Sequence, residues 1–324
     1  MKKVFITGGA GFIGSHVCRI LLDRGYQPVI YDAFIQYISP FESPYRNFLS
    51  YRFRGIKDKM IFHRGDTRDK SDIRRAILEH KPSIIIHLAN LPIADLSFTH
   101  TEEAIGSIIH GTTNLLDTIT EVDFVERFVY ASSSMIYGDF QEIPAPEDHP
   151  KQPKDIYGGT KYAAEILIET FGRRHGMKYT IIRPSAVYGP TDINRRVSQI
   201  FIENAISGKP LTLHGGDNTL DFTFIEDIAE GIVLASISPK GENQVFNITC
   251  GEGRSLLEYC EILKQYYPKL ELVIESQQFY RPKRGALSIA KARELLGYNP
   301  KYSLEKGIEA YVDFFNKVDR HKEA

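Results

Sequence analysis

The chain has 324 residues, 42% of them hydrophobic and 25% charged, proportions of a soluble globular protein with room for one large α/β domain or two ordinary ones. Forty Lys and Arg against 41 Asp and Glu leave a net charge of −1, which argues against nucleic acid as the main partner. No apolar run reaches membrane-spanning length, and glycines break "MKKVFITGGAGF" where a signal peptide needs its apolar core. The three cysteines, Cys18, Cys250 and Cys260, are too few for a disulfide framework, so a reducing, cytoplasmic setting is expected.

The first half alternates short apolar runs with helical patterns. "KKVFIT" precedes the helical "GSHVCRILLDRG", and "QPVIYD" and "KMIFHRGD" read as the next strands. "SDIRRAILEH" is helical, "SIIIHLA" a strand, "TTNLLDTITE" a helix, "RFVYASSS" a strand, "YAAEILIETFGRRHG" a helix and "KYTIIRP" a strand. Continuous apolar strands separated by helices imply a parallel sheet covered on both faces. Right-handed crossovers make it a doubly wound, Rossmann-type α/β fold. Residues 1–184 are assigned to this domain. Residues 185–324 are assigned mainly to a smaller α/β domain that closes over the ligand, with a segment near 222–238 returning to the first. Its predicted elements include a helix at "RVSQIFIENAISG", strands "PLTLHG" and "QVFNIT", and helices near 255–266, 288–297 and 303–317. Phe34 to Lys59 is expected to be a loop and helix inserted between the second and third strands.

"TGGAGFIGSH" follows a strand and opens a helix, the context that gives a glycine pattern meaning. Gly8 and Gly11 let the backbone turn tightly against a pyrophosphate, and Gly14 lets the helix pack close to the sheet. The helix N-terminus then offers free N–H groups to the phosphates. Asp32 ends the second strand at the distance expected of a ribose-binding acid. It repels a 2′-phosphate, and no Arg or Lys follows it directly, which favours NAD over NADP. Asp66, in "RGDTRD", is placed to accept from the adenine amino group.

In "YGGTKYAAE", Tyr157 and Lys161 stand four apart and share a helix face. Such pairs occur on many helices, so the stretch alone does not decide between surface decoration and chemistry. "VYASSSMIYGD" adds a serine cluster at the carboxyl end of a strand, where ligands bind in an open α/β sheet. A serine, a tyrosine and a lysine converging there suit proton transfer from a sugar hydroxyl as hydride leaves for NAD. In that scheme the lysine cation stabilises the phenolate and the serine polarises the reacting oxygen.

At this point the sequence resembles the extended short-chain dehydrogenase/reductases, in particular the NAD-dependent nucleotide-sugar epimerase/dehydratase family. "TGGAGFIGSH", "GDTRD", "HLA", "SSSMIYG", "YGGTKYAAE", "RPSAVYGP", "DFTFIEDIAEG" and "LLGYNP" occur in the family's order and span nearly the whole chain. The resemblance implies Ser133, Tyr157 and Lys161 as the catalytic residues, with Ser132 and Ser134 as structural hydroxyls. It implies cofactor contacts from Gly8, Gly11, Phe12, Ile13, Gly14, Asp32, Asp66, Thr67, Leu88, Ala89, Tyr157, Lys161 and Pro184. Substrate contacts are implied for Ser133, Tyr157, Ala186 and Arg281. A nucleotide-diphosphate sugar is the implied substrate, NAD a recycled cofactor, and a homodimer the implied assembly, through a helix pair that includes the Tyr157 helix.

The chain departs from the family's pattern at the substrate site. Leu220 stands where a phosphate-binding Arg is usual, Ala186 where Asn is usual, and "RPKR" replaces "RPGD", keeping Arg281 and adding Lys283 and Arg284. Dehydratases and decarboxylases of the family tend to carry acidic residues after the catalytic Ser or Thr, whereas this chain has Ser134 and Met135. That resembles the 4-epimerases and makes C4 epimerisation the expected reaction. The alternatives are a 4,6-dehydratase, a decarboxylase, a 4-dehydrogenase or a non-catalytic NAD sensor. Asp95 and Glu142 are the carboxylates that could reach the sugar from elsewhere in the chain. His63, His100, His110, His149, His175 and His214 show no metal-ligand spacing, so no metal is expected. His87 reads as a buried structural histidine near the cofactor loop.

Overall fold

The apolar runs of the first half become six parallel strands: β1 (Lys3–Thr7), β2 (Gln27–Asp32), β3 (Ile61–Arg64), β4 (Ile84–His87), β5 (Arg127–Ala131) and β6 (Tyr179–Arg183). The structure is a computed structural model and describes residues 1–35, 45–91, 94–216, 218–276 and 281–320. A seventh strand, Gln244–Asn247, comes from the last third of the chain and pairs with β6. The sheet order is Gln244–Asn247, β6, β5, β4, β1, β2, β3, with every neighbouring pair parallel. The order reverses between β1 and β4, which opens a crevice at their carboxyl ends.

The strands are apolar without alternation because both faces are covered. Val4, Ile6, Ile30 and Ile86 face one cluster, and Phe5, Val29, Ile85 and Phe128 face the other. Helix α1 (Phe12–Asp23) packs with the helix Ile225–Ile237 on the first face. The helices Lys70–His80, Gly111–Thr120 and Ile156–His175 supply the second. The insertion after β2 holds the helix Tyr45–Arg52 and a short turn, Lys57–Lys59, while residues 36–44 lie outside the described residues. The helix expected at "TTNLLDTITE" begins earlier than its pattern suggests. It follows directly on Thr101–Ile105 through a π-helical turn, Gly106–His110.

Beyond β6 the described residues form three two-stranded pairings. Val187–Tyr188 lies with Thr223–Phe224, Leu211–His214 with Leu272–Glu275, and Thr219–Asp221 with Gly253–Ser255. Asp221 ties its strand to two strips outside these pairings, one at Thr249–Cys250 and one at Leu287. It accepts from Thr249 Oγ1 at 2.9 Å, Cys250 N at 3.0 Å and Leu287 N at 3.0 Å, and burial pushes its carboxyl up to about 7. A second buried knot fixes the turn after β5. Arg183 pairs with Glu165 through Nε at 3.0 Å and Nη2 at 2.7 Å, and donates to the Tyr137 hydroxyl at 2.9 Å. Tyr137 in turn donates to Asn247 Oδ1 at 2.8 Å. Such a network is costly to break, because each member would be left buried and unpaired. Among the described residues no helix is long and apolar enough to cross a membrane.

Candidate active site

β1 runs into Gly8, whose φ of +69° suits glycine and few other residues. A Cβ at Gly8 would stand 2.8 Å from Ala89 N, and one at Gly14 only 2.4 Å from Gly8 O, so α1 and the β4 loop close directly on the turn. Gly11 caps α1 without a side-chain hydrogen bond, and no acidic side chain stands in the first turn. The helix therefore presents its first N–H groups and positive dipole end without an internal anion to satisfy them. This cradle fits a dinucleotide pyrophosphate. Gly8, Gly11, Phe12, Ile13, Gly14, Asp32, Asp66, Thr67, Leu88, Ala89, Tyr157 and Pro184 all line the one cleft above it. Of the residues expected at the cofactor, Lys161 alone is not on that wall. It lies buried behind it.

Asp32 accepts from Ala10 N at 2.9 Å and Phe34 N at 2.8 Å, which fixes the carboxylate at the cleft. Burial raises its pKa, with the two backbone bonds and Arg52 acting against the rise. Arg52 is absent from the sequence reading. It reaches the cleft from the inserted helix and donates to Ala10 O at 3.0 Å and to Thr191 O. A cation does stand near Asp32, but it comes from twenty residues downstream. Asp66 accepts from Arg68 Nη2 at 2.6 Å and Arg68 N at 2.9 Å, so any adenine amino group shares that carboxylate with Arg68.

His87 is buried, with both ring nitrogens engaged. Nδ1 lies 2.6 Å from Thr7 Oγ1 and Nε2 3.1 Å from Thr112 Oγ1. Thr112 donates its own proton to Ile108 O, so Nε2 carries the ring proton and Nδ1 accepts from Thr7. Thr7 Oγ1 then accepts from Ala89 N at 3.3 Å, and the chain of bonds anchors the Leu88–Ala89 loop against Gly8. Burial lowers the His87 pKa to about 3, consistent with a neutral structural ring.

Tyr157 and Lys161 lie on the first turns of Ile156–His175, which Asp155 caps by accepting from Gly158 N at 2.6 Å. Lys161 Nζ donates to Ala131 O at 2.7 Å and stands 5.7 Å from the centre of the Tyr157 ring. Desolvation lowers its pKa to about 7, with Glu165 pulling the other way. Burial raises the Tyr157 phenol to about 12, against which Arg196 and the Ser133 hydroxyl act. Arg196 is a second cation absent from the sequence reading. It starts the helix Val197–Ile206, lines the cofactor cleft, and bonds Asp192 at 2.8 Å. Its signal in the sequence is the "NRR" just beyond "YGP". Ser133 Oγ accepts from Met135 N at 3.2 Å as the cap of the turn Ser134–Tyr137. Ser134 donates its N–H to Pro184 O at 2.9 Å. The neighbouring Ser132 lines the cofactor cleft with its buried Oγ unpartnered.

The substrate side is assembled from distant segments. Leu220, Arg281 and Arg284 line a second cleft together with Phe201 and Asn218. Leu220 is buried in the core of this half and offers no charge. Arg281 bonds Asp95 at 3.1 Å, across from the β4 loop, while Glu142 is exposed. Ala186 precedes Val187–Tyr188 with a φ of +34°, a left-handed conformation that Asn tolerates better than Ala. That backbone demand is a physical reason for the family's usual Asn there. Outside both clefts, His63, Glu79 and His80 place their ligand atoms within 4.8 Å of one another, a proximity that strand and helix spacing conceals in the sequence. The three cysteines are free thiols.

Comparison with known proteins places this geometry. Residues 4–249 match the model of the NAD dependent epimerase/dehydratase family. The structure superposes on a UDP-glucose 4-epimerase of Thermotoga maritima, solved with UDP-glucose, with a TM-score of 0.88 and 28% identity over 98% of this chain and 99% of that one. It matches a UDP-glucuronic acid 4-epimerase of Bacillus cereus, solved with UDP-glucuronic acid and NAD, with the same TM-score, identity and coverage. The dTDP-D-glucose 4,6-dehydratase of Mus musculus is 28% identical over 98% of this chain and 89% of its own. The chain is an enzyme of the NAD-dependent epimerase/dehydratase family, with NAD as its cofactor.

Proposed function

We propose that the protein is a nucleotide-sugar 4-epimerase with Tyr157 as its acid–base group. In this reading residues 1–184 hold the cofactor and residues 185–324 mainly hold the nucleotide sugar. When bound at the Gly8–Gly14 turn, NAD would supply the hydride acceptor and donor and, in its oxidised form, a positive charge at the cleft. Tyr157 takes the proton of the sugar hydroxyl and gives it back after the sugar has turned, so both halves of the reaction use one group. Ser133 holds the reacting oxygen. Lys161, charged below about pH 7 in the free protein, supports the phenolate from behind.

The observation that carries the reading is the turn after Ser133. Ser134 is buried, and Met135 places its sulfur 3.4 Å from Arg284 Nη1, so neither position offers a carboxylate for elimination across C5 and C6. The nearby acids are engaged elsewhere: Asp155 caps the Tyr157 helix and Asp95 bonds Arg281. Supporting a homodimer, Ile105 and Ile166 are exposed on two helices that pack together, one of them the Tyr157 helix. The test is product analysis by NMR after incubation with UDP-, GDP-, CDP- and dTDP-sugars in deuterated water. The expected product is the C4 epimer with no net use of NAD. Deuterium at C5, loss of the C6 hydroxyl or released carbon dioxide would identify a dehydratase or decarboxylase instead.

A further inference from the structure

Arg284 is held in place by its neighbours' backbone: Phe140 N donates to Lys283 O at 2.9 Å, Lys283 N to Asp139 Oδ1 at 2.8 Å, and Ala145 N to Ala286 O at 2.9 Å. These bonds fix the strip against the chain that follows the Ser134–Tyr137 turn. The Arg284 side chain then reaches into the substrate cleft with little to bind. Among the described residues its Nε is buried without a partner, and Nη1 meets Met135 Sδ, a weak acceptor. Two carboxylates, Asp155 and Asp95, stand near enough to favour its charge, yet the first is spent on Gly158 N and the second on Arg281. Burial and the repulsion of Arg281 outweigh them and bring the guanidinium down to about 10. A guanidinium half-buried, with its Nε shut off from water and no anion bonded to it among the described residues, is costly to keep. A ligand that supplies the anion repays that cost with a two-pronged, charge-assisted bond.

A nucleotide sugar can offer anions at two places, the diphosphate and a carboxylate on the sugar itself. Arg284 touches Met135, two residues beyond Ser133 on the same tight turn, and faces Asp155 at the start of the Tyr157 helix. Its guanidinium is thereby near the turn and the helix that carry Ser133 and Tyr157. We propose that Arg284 reads a carboxylate on the sugar, so that the substrate is a nucleotide uronic acid; this rests on the nucleotide-sugar reading above.

The experiment is calorimetric titration of the NAD-loaded protein with UDP, UDP-glucose and UDP-glucuronic acid, for wild type, Arg284→Met and Arg284→Lys. Wild type should prefer the uronate over the hexose by about ten- to a hundredfold, the range expected of a buried bond to a charged group. Arg284→Met should erase that ratio, and Arg284→Lys, which keeps the charge without the fork, should retain part of it. A wild type that binds both sugars equally would overturn the proposal without any variant needing to fold. So would an Arg284→Met protein that weakens UDP and both sugars by one common factor, since Arg284 would then serve the diphosphate. Product analysis of the same samples separates the two readings. A uronate preference without a C4 epimer would sustain the carboxylate site and reject the epimerase.

Discussion

The two clefts of this molecule are built by different means. The cofactor cleft is made largely of backbone: a glycine turn, an uncapped helix end and the loop that His87 anchors, all near β1 and β4. The proposed substrate cleft is made of side chains, with Leu220 from one strip of the second half and Arg281 and Arg284 from another, the two arginines meeting Asp95 and Met135 of the first half. A backbone site tolerates few substitutions, because hard-sphere contact leaves no room to adjust. A side-chain site can change its ligand by exchanging one residue, and Leu220 and Arg284 are the exchanges on which the proposal above rests.

Tyr157 lines the cofactor cleft as the proposed acid–base group, so its loss should strike turnover alone. Tyr157→Phe is expected to lower the rate about 10²–10⁴-fold while leaving the fold and NAD affinity in place. Activity close to wild type with an accepted sugar nucleotide would remove it from the chemistry. Gly14→Ala should break the cofactor cleft selectively. The new Cβ falls 2.4 Å from Gly8 O and 2.7 Å from Gly9 Cα, both backbone atoms. A stability loss of about 1–3 kcal/mol is expected, together with an NAD affinity lower by on the order of tenfold. Titration with UDP alone should change little, and an equal loss for UDP would mean that the clefts are not separable.

Lys161 gives a finer test, through pH. Its pKa falls from 10.5 to about 7 on folding, so between those values the unfolded chain binds the extra proton. For this group, stability of the unliganded protein rises with pH across that window and is penalised in full below it. Lys161→Met removes the penalty, so the variant's gain in Tm over wild type should be largest near pH 6 and shrink toward pH 10. A difference that does not vary with pH would mean that Lys161 titrates normally. The smallest effect is expected at Ala186, a place where the substrate half makes a backbone demand. Ala186→Asn should raise stability by about 1 kcal/mol, by easing the left-handed conformation. A chemical denaturation curve that shifts the other way would show that the side chain has no room.

The sheet and the cofactor turn were legible because their signals are local. Continuous apolar runs, the spacing of Gly8, Gly11 and Gly14, and an acid at the end of β2 all act within a few residues of where they stand. The same locality made the Tyr157–Lys161 pair visible as a helix face, and the resemblance of whole motifs gave it a role. Only the tertiary structure could show that Gln244–Asn247 completes the sheet beside β6, since strand pairing across sixty residues leaves no local trace. Only it could bring Arg52 and Arg196 to the cofactor cleft, or show Arg284 half-buried beside Met135 with its Nε buried and, among the described residues, unpartnered. A charge in a sequence carries no record of its solvent or its neighbours. Burial and pairing are properties of the folded chain, and they decide what an arginine is free to bind.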